Sequence, residues 1–356
     1  MSRRAAIIGG GNAACLQASA LKACGVEIVA VVTGKKDTAE VFADKWEIPK
    51  WGTDPELALE DSIDSVHICT PPVFHGSYIK AALEAGKDVL CEKPLCFSSD
   101  EAHELADIVE RSGNICAVDF NVRYQKAVQR ARELIRGGAF GRPLMIHGCY
   151  LQEFHILPAP YHWRYDPELA GNMRAVTEIG SHWIDAVQYI SGEKISEVSA
   201  NFADFFPDRI IHDGIMEKAV TDSEADNGTL IHVESEDAAC LMFRFENGAI
   251  GNLTLSEISH GRANRLELEI TCENGSLWWN EDDYDVLYTA VRGEGIKTER
   301  FDCGNGFQDT FIYLMKDFFD KKNYPTVRES AQIVDVCNAA AMSAANNSAW
   351  TEVASR

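Results

Sequence analysis

The sequence predicts an α/β fold with a doubly wound parallel sheet, followed by an α+β domain with an open antiparallel sheet. Three observations predict this. Over residues 1–122, short apolar runs alternate with helix-forming segments, which is typical of parallel strands joined by crossover helices. A glycine-rich turn follows the first run. Within residues 123–356, strand-like segments are joined by Asn247-Gly248 and Asn274-Gly275, which favour hairpins.

The composition indicates a soluble cytoplasmic protein with two domains. The chain has 356 residues, 46% of them hydrophobic, and a formal net charge of −22. This charge argues against nucleic acid and anionic membranes as partners, because both bind clustered Lys and Arg. The apolar run after Arg3-Arg4 is too short for a signal peptide, and no later segment is long enough to span a membrane. The 11 cysteines show neither paired nor zinc-ligand spacing, so we interpret them as reduced thiols.

The first strand, residues 4–8, leads into a turn that is typical of dinucleotide binding. Its pattern is Gly-x-Gly-x-x-Ala, followed by an amphipathic helix to about residue 24. The first glycine permits the tight turn, the second lets a pyrophosphate approach the backbone, and the alanine allows close helix packing. We therefore expect an NAD(P) cofactor, NAD or NADP, bound here by Gly9, Gly11, Asn12, Ala13 and Ala14.

The second strand, residues 26–32, ends without the acidic residue that usually accepts from the ribose hydroxyls of NAD. Thr33-Gly34-Lys35-Lys36 stands there instead. No carboxylate repels a 2′-phosphate at this position and two lysines could pair with one, so we favour NADP over NAD. The alternative is that both lysines are solvated loop charges.

A further apolar run, Val89–Cys91, stops at Glu92-Lys93-Pro94. Proline cannot continue a strand ladder, so Lys93 is placed at the carboxyl end of a central strand, where such sheets hold their ligands. Before it, a strand at residues 65–70 ends in Thr70-Pro71-Pro72, and a helix covers residues 73–85. After it, a helix capped near Ser98 and a strand at residues 115–119 complete the domain.

The second domain has strand-like segments at residues 145–154, 198–202, 238–245, 249–256, 266–271 and 276–279, with closing helices at 307–319 and 330–345. A Pro- and aromatic-rich loop, residues 158–163, is predicted to cover the site. The acidic stretch 204–228 is predicted to be a long loop or lid.

A helix predicted over residues 176–190 carries two stripes. Glu178, His182, Asp185 and Tyr189 fall on one, and Trp183 and other apolar residues fall on its neighbour. A histidine between carboxylates suits a general base. The alternative is a solvated face with an incidental histidine, and two ligands do not make a metal site.

Taken together, these motifs resemble the glucose–fructose oxidoreductase and inositol dehydrogenase (Gfo/Idh/MocA) family. The similarity rests on Gly9-x-Gly11-x-x-Ala14, Thr70-Pro71-Pro72 with His75, Glu92-Lys93-Pro94 and Gly180-x-His182-x-x-Asp185. It implies an NAD(P)-binding Rossmann domain, and a sugar, polyol or glycoside substrate. It also implies a homo-oligomer, dimer or tetramer, formed through the free face of the C-terminal sheet.

The resemblance also implies residue roles. Lys93 corresponds to the catalytic lysine and His182 to the catalytic histidine, which Glu178 or Asp185 would orient. The family usually has Asp where this chain has Glu178. Further cofactor contacts are implied for Thr70, Pro71, Pro72, His75, Glu92, Lys93, Asn121, Trp163 and Arg164. Substrate contacts are expected from Lys93, Arg123, Tyr124, Glu153, His155, Tyr161, Glu178 and His182, with Tyr150 and His162 nearby on that side.

The activity expected from these residues is hydride transfer between nicotinamide and a secondary hydroxyl, or the corresponding ketone. Three alternatives remain open: a glycosidase of the same fold that uses bound NAD, an enzyme that exchanges hydride between two sugars, and a non-catalytic cofactor-binding regulator. The presence of both Lys93 and His182 argues against the last of these.

Overall fold

The computed structural model describes residues 3–219, 228–302 and 306–354. Its helices and strands, numbered in chain order, are β1 (Arg4–Ile8), α1 (Asn12–Ala23), β2 (Glu27–Val32), α2 (Lys36–Trp46), β3 (Lys50–Gly52), β4 (Ser65–Ile68), α3 (His75–Glu84), β5 (Asp88–Cys91), α4 (Ser99–Ser112), β6 (Cys116–Val118), α5 (Lys126–Arg136), β7 (Pro143–Leu151), β8 (Ala159–Pro160), α6 (Pro167–Ala170), α7 (Ser181–Ser191), β9 (Ile195–Ala203), β10 (Asp208–His212), β11 (Ile215–Lys218), β12 (Thr229–His232), β13 (Ala238–Phe245), β14 (Ile250–Ser256), β15 (Arg265–Cys272), β16 (Ser276–Asn280), β17 (Val286–Val291), β18 (Gly295–Arg300), α8 (Phe307–Asp320), α9 (Val327–Ala345) and β19 (Thr351–Glu352).

The chain forms two compact units. The first unit contains residues 1–125 and 303–334, and the second contains residues 126–302 and 335–356. We predicted that everything after residue 122 belongs to the second domain, so the placement of residues 303–334 corrects that boundary. The reason is packing, since Phe311, Leu314 and Phe318 of α8 join the apolar core that contains Leu21 of α1.

The first unit holds a parallel six-stranded sheet in the order β3-β2-β1-β4-β5-β6. The strand order reverses between β1 and β4, so the carboxyl ends of these two strands flank the crevice where such sheets bind ligands. Its strands are almost wholly buried, as expected for a sheet covered on both faces. The predicted doubly wound fold is confirmed.

The second unit holds a nine-stranded sheet in the order β18-β17-β16-β15-β7-β14-β13-β9-β19. The sheet is mixed rather than purely antiparallel, because β7 and β14 pair in parallel while the other neighbours are antiparallel. Along β13 and β15, buried residues alternate with more exposed ones. One face is therefore core and the other is open.

The predicted loop at residues 204–228 is wrong over its described part, and residues 220–227 lie outside the described residues. β10 and β11 form a hairpin there, in a small sheet with β8 and β12. The turn is Asp213-Gly214, and both residues have positive φ (49° and 80°), as a type I′ hairpin requires. The acidic composition concealed this turn signal. None of the helices within the described ranges is long and apolar enough to cross a membrane.

Candidate functional site

The glycine-rich turn after β1 has the geometry that a bound pyrophosphate needs. Gly9 has φ of +128°, and a Cβ there would lie 2.4 Å from the carbonyl oxygen of Cys69, so only glycine fits. At Gly11, which precedes α1, a Cβ would meet no protein atom within 4 Å and would occupy open space instead. The α1 N-terminus has no side-chain cap, which leaves its N–H groups available. This part of the structure fits a dinucleotide.

The loop after β2 presents its two lysines to solvent. Thr33 is buried, and its hydroxyl donates to the carbonyl oxygen of Lys35 at 2.7 Å. Gly34, Lys35 and Lys36 are exposed. The ammonium of Lys36 lies 6.0 Å from the ring centroid of Trp51 on β3. A cation and an aromatic face therefore stand side by side beyond the end of β2.

His75 joins the loops that follow β4 and β5. Its Nδ1 lies 2.9 Å from the carbonyl oxygen of Pro94, and its Nε2 lies 2.9 Å from that of Thr70. The side chain is fully buried. This placement fixes the Thr70-Pro71-Pro72 loop to the peptide after Lys93, and the predicted contact of His75 with the cofactor stays a prediction. Contact of Thr70, Pro71 and Pro72 with the cofactor stays a prediction.

Lys93 lies immediately after β5, as predicted, and is half-buried. The carboxylate of Glu92 accepts from the backbone N–H of Lys93, and the Lys93 ammonium acts to lower its pKa. Burial is the larger effect, so the pKa of Glu92 is raised overall. Sequence reasoning missed two buried neighbours of Glu92, Gln17 and Asp119.

The residues predicted after β6 have structural partners within the first unit. The amide of Asn121 donates to the hydroxyl of Thr310 at 2.9 Å. Arg123 is buried and pairs with Glu329 at 3.2 Å, and the hydroxyl of Tyr124 donates to the carbonyl oxygen of Asn323. These contacts give the three side chains structural roles. Their predicted contacts with cofactor or substrate stay predictions.

In the second unit, the helix predicted over residues 176–190 begins with a π-helical turn, Val176–Gly180, before α7. The turn is anchored by Glu236, whose carboxylate accepts from the backbone N–H groups of Arg174 and Val176. Burial raises the pKa of Glu236 to about 7, although these N–H groups oppose the shift. Trp183 then fixes α7 to the sheet, because its buried indole donates to the carbonyl oxygen of Glu267 at 2.9 Å. Single-turn π segments of this kind are frequent at functional sites.

Glu178 lies on the π-helical turn and pairs with Arg164, with Nε and Oε2 separated by 2.7 Å. The guanidinium of Arg164 also lies over the ring of Trp163, at 4.7 Å from the centroid. Trp163 and Arg164 were predicted to contact the cofactor. The structure brings Arg164 to a predicted catalytic carboxylate instead, and cofactor contact stays a prediction for both residues.

His182 is half-buried at the start of α7, beside Tyr150 of β7, with ring centroids 6.4 Å apart. The hydroxyl of Tyr150 donates to Oδ1 of Asn264 at 2.9 Å, and the amide of Gln152 donates to the same oxygen. Gln152 and Asn264 were missed in the sequence, because single amides carry no pattern signal.

Asp185 and Tyr189 complete the predicted polar stripe. Asp185 is as deeply buried as its apolar neighbours. Tyr189 lies beneath the guanidinium of Arg132 from α5, 4.5 Å from its ring centroid. α5 packs on α7, and Tyr189 is half-buried there, as Glu178 and His182 are at the beginning of the stripe. A role for Asp185 in orienting the imidazole stays a prediction.

The predicted substrate loop is tied down by Tyr165. His155 bonds to the Tyr165 hydroxyl through Nδ1, and Tyr161 stacks on the Tyr165 ring. The guanidinium groups of Arg174 and Arg209 each lie 4.8 Å from that ring's centroid. Burial, with help from Arg174, lowers the pKa of His155 to about 3, so its imidazole is neutral at physiological pH.

Two further loop residues were predicted on the substrate side. Burial, and then Arg164, lower the pKa of His162 to about 4. The carboxylate of Glu153 accepts from the backbone N–H of Gly261 at 2.7 Å. Contact of these residues with a substrate stays a prediction.

Beneath the loop lies a fully buried charge cluster of Arg174, Arg209, Asp237 and Glu257. Asp237 pairs with both arginines, and Nε of Arg174 lies 2.9 Å from Glu257. Burial opposes ionisation of Asp237, but Arg174 and Arg209 lower its pKa overall. Burial raises the pKa of Glu257 to about 8 despite Arg174. Across the described ranges, no group of three or more His, Cys, Asp or Glu side chains could hold a metal ion.

Comparison with known proteins identifies the family. The model described as "Oxidoreductase family, NAD-binding Rossmann fold" matches residues 3–120, and the "GFO/IDH/MocA C-terminal domain" matches residues 128–278. Together they cover more than half of the chain. The protein belongs to the GFO/IDH/MocA oxidoreductase family. The resemblance inferred from the sequence motifs is confirmed, and the protein is an enzyme of the oxidoreductase class.

Members of the GFO/IDH/MocA family resemble this chain over much of its length. Levoglucosan dehydrogenase from Pseudarthrobacter phenanthrenivorans is 30% identical over 319 residues, covering 83% of this chain and 81% of that protein. The scyllo-inositol 2-dehydrogenase (NAD(+)) of Bacillus subtilis is 31% identical over 246 residues, covering 68% and 64%. A structure of levoglucosan dehydrogenase with NADH and L-sorbose matches with a TM-score of 0.90 and 26% identity, covering 100% of both chains.

Proposed function

We propose that this protein is an NAD(P)-dependent dehydrogenase that transfers hydride between nicotinamide and a secondary hydroxyl, or ketone, of a sugar, cyclitol or glycoside. One observation carries the proposal. Lys93, at the position of the family's catalytic lysine, follows β5 at the same sheet edge as the glycine turn that fits a dinucleotide. The dehydrogenases of sugars and cyclitols among its relatives support the substrate class.

In the proposed reaction, His182 takes the proton of the substrate hydroxyl when the alcohol is oxidised, and returns it when a ketone is reduced. The Lys93 ammonium donates a hydrogen bond to the same oxygen and stabilises its developing negative charge. The bound nicotinamide supplies the acceptor or donor of the hydride. Glu178, held by Arg164, presents a fixed carboxylate on the turn before His182.

The proposed cofactor is NADP rather than NAD. Exposed Lys35 and Lys36 after β2 support this choice, as does the absence of an acidic side chain at Thr33. Replacing both lysines by Glu should lower kcat/KM for NADP relative to NAD by at least about tenfold, since a hydrogen bond to a charged group contributes about 1.5–3 kcal/mol. Lys194→Glu, at an exposed position of the second unit, is the matched control. An unchanged ratio would favour NAD.

We propose a homo-oligomer and a cytoplasmic location. The open face of the nine-stranded sheet exposes Met145, Met242 and Ile250, which supports association through that face. Ten cysteines lie in the described ranges and none is in a disulfide bond, which supports a reducing compartment. Sedimentation of the wild type and of Met242→Glu tests the interface, and the variant should dissociate.

The test of function is a panel of sugars, cyclitols and glycosides, with reduction of NAD and NADP followed by absorbance. Lys93→Met and His182→Ala should each lower kcat by at least about 10²-fold, the usual scale for a lost acid–base or oxyanion partner. Lys194→Met is the control for a surface lysine. Full turnover in both site variants would remove the assignment of these residues. Net hydrolysis of a glycoside without added cofactor would favour the glycosidase.

A further inference from the structure

A chain of buried polar groups runs through the first unit to the backbone of Lys93. Ser65 contacts Nε2 of His67 at 3.2 Å, and Nδ1 of His67 contacts Oε1 of Gln17 at 3.1 Å. The amide nitrogen of Gln17 then reaches Glu92 at 3.1 Å and Asp119 at 3.0 Å. Apart from half-buried Glu92, all of these side chains are buried.

The direction of every hydrogen bond in this chain follows from its last members. Gln17 contacts two carboxyl groups through Nε2, so its two N–H groups donate and its Oε1 must accept. His67 therefore carries its hydrogen on Nδ1. Burial lowers the pKa of His67 to about 3, so the ring is neutral and its Nε2 accepts from the Ser65 hydroxyl. Each hydrogen bond in this series therefore donates in the same direction, from Ser65 toward Glu92 and Asp119.

The two carboxyl groups at the end of the chain are in hydrogen-bonding contact with each other as well as with Gln17. Two adjacent buried carboxyl groups do not both ionise, because like charges at hydrogen-bonding distance repel strongly where water is excluded. Burial and the neighbouring charge of Glu92 raise the pKa of Asp119 well above its usual range. Since Glu92 is closer to solvent and bonds to the Lys93 backbone, the proton belongs on Asp119 and the charge on Glu92.

The groups that face this pair come from several elements. Lys93 is the ammonium beside it, and its charge favours ionisation of both carboxyl groups. Cys69 after β4 and Cys91 in β5 are neutral thiols, because burial raises the pKa of each well above the usual value. His67 reaches the pair only through Gln17.

We propose that Asp119 and Glu92 share a single proton, and that this pair, oriented by Gln17, positions Lys93 for its proposed role. Glu92 fixes the backbone N–H of Lys93, while His75 fixes the carbonyl of the following proline from the other side. Asp119 and Gln17 are positioning residues, since they act through Glu92. The positioning of Lys93 for catalysis rests on the proposed function, whereas the sharing of one proton between Asp119 and Glu92 does not.

Infrared spectroscopy tests the proton without any substrate. The difference spectrum between the wild type and Asp119→Asn at neutral pH should show loss of a protonated carboxylic acid band and no loss of a carboxylate band. Glu84→Gln, at an exposed position of α3, is the control and should lose a carboxylate band. Loss of a carboxylate band in Asp119→Asn would overturn the proposal, because it would show that Asp119 is ionised.

Turnover separates positioning from general stability. Asp119→Asn should retain most of kcat, because Asn can donate to Glu92 as a protonated Asp does, whereas Asp119→Leu should lose about tenfold or more through the lost hydrogen bond. Equal losses in Asn and Leu variants that remain folded would contradict the positioning role. If no sugar is turned over at all, the proposed function fails, while the infrared result still decides the shared proton.

Discussion

The two units place buried acids in opposite electrostatic settings. In the first, Glu92 and Asp119 are in contact, the amide of Gln17 bonds to both, and burial raises the pKa of each. In the second, Asp237 lies between two arginines that lower its pKa, although burial opposes them. Asp119 is held protonated beside a second buried carboxyl group, whereas Asp237 is held ionised between two arginines.

This difference suits what each region supports. The charge cluster of the second unit braces the loop and the π-helical turn that carry Arg164 and Glu178, because Arg174 and Arg209 lie over the ring of Tyr165 and hold Asp237 ionised between them. In the first unit, the proposed sharing of one proton leaves the Glu92–Asp119 pair beside Lys93 with a single negative charge. Rigidity is required in one region and a defined protonation state in the other.

The largest predicted effect is on stability, in the second unit. Arg174→Met should lower the free energy of unfolding by about 3–5 kcal/mol, because it leaves buried Asp237 and Glu257 without that cation. Denaturant titration measures the loss. Arg130→Met, which removes exposed ion pairs to Glu133 and Glu299, is the control and should cost at most about 1 kcal/mol. Equal losses of stability in Arg174→Met and Arg130→Met would show that Arg174 does not offset the cost of burying Asp237 and Glu257.

A smaller effect, in the first unit, depends on pH. The pKa of His67 falls from 6.5 unfolded to about 3 folded, so its stabilising contribution is complete above pH 6.5 and is lost as the pH falls toward 3. At pH 5 the cost is about 2 kcal/mol, from about 1.4 kcal/mol per pH unit. His67→Asn keeps a donor for Gln17 and does not titrate, so its stability should fall less between pH 6.5 and 5. If the free energy of unfolding falls equally with pH in the wild type and in His67→Asn, His67 is not a neutral buried imidazole.

The smallest effect concerns the ion pair between Arg164 and Glu178. Glu178→Gln should change the free energy of unfolding by no more than about 1 kcal/mol, because Arg164 is about one-third exposed. The predicted consequence is kinetic, a loss of kcat/KM through a less fixed Arg164, with Glu178→Asp as the conservative control. Steady-state kinetics with the best sugar of the panel measures it. A stability loss as large as that of Arg174→Met would place Glu178 in the buried cluster.

Local patterns predicted the first unit well. The doubly wound sheet, the glycine turn and the position of Lys93 after β5 all follow from strand runs broken by glycine and proline. Local patterns did not predict that α8 belongs to this unit, because its place depends on long-range packing of Phe311 and Leu314 in the apolar core. The sequence marked Asp119 only as the polar residue at the end of a buried strand. Its positioning role depends on the hydrogen bond from Gln17, which is distant in the sequence.

The second unit was less predictable for the same reason. Its charge cluster joins residues separated by more than 60 positions, such as Arg174 and Asp237, and no sequence period marks such a pair. The helical stripe correctly brought Glu178 and His182 to the start of one helix, but Asp185 on the same stripe is buried. The Asp213-Gly214 hairpin was a local signal that the acidic composition concealed.

The central claim, direct hydride transfer from a sugar carbon, is tested most directly with a substrate deuterated at the carbon that the enzyme oxidises. The wild type is incubated with this substrate and oxidised NADP or NAD, and the nicotinamide product is analysed by mass spectrometry. Deuterium should appear in the reduced nicotinamide, and Lys93→Met should form this labelled product at least about 10²-fold more slowly. Deuterium released to water, or product formed without any reduced nicotinamide, would contradict the account.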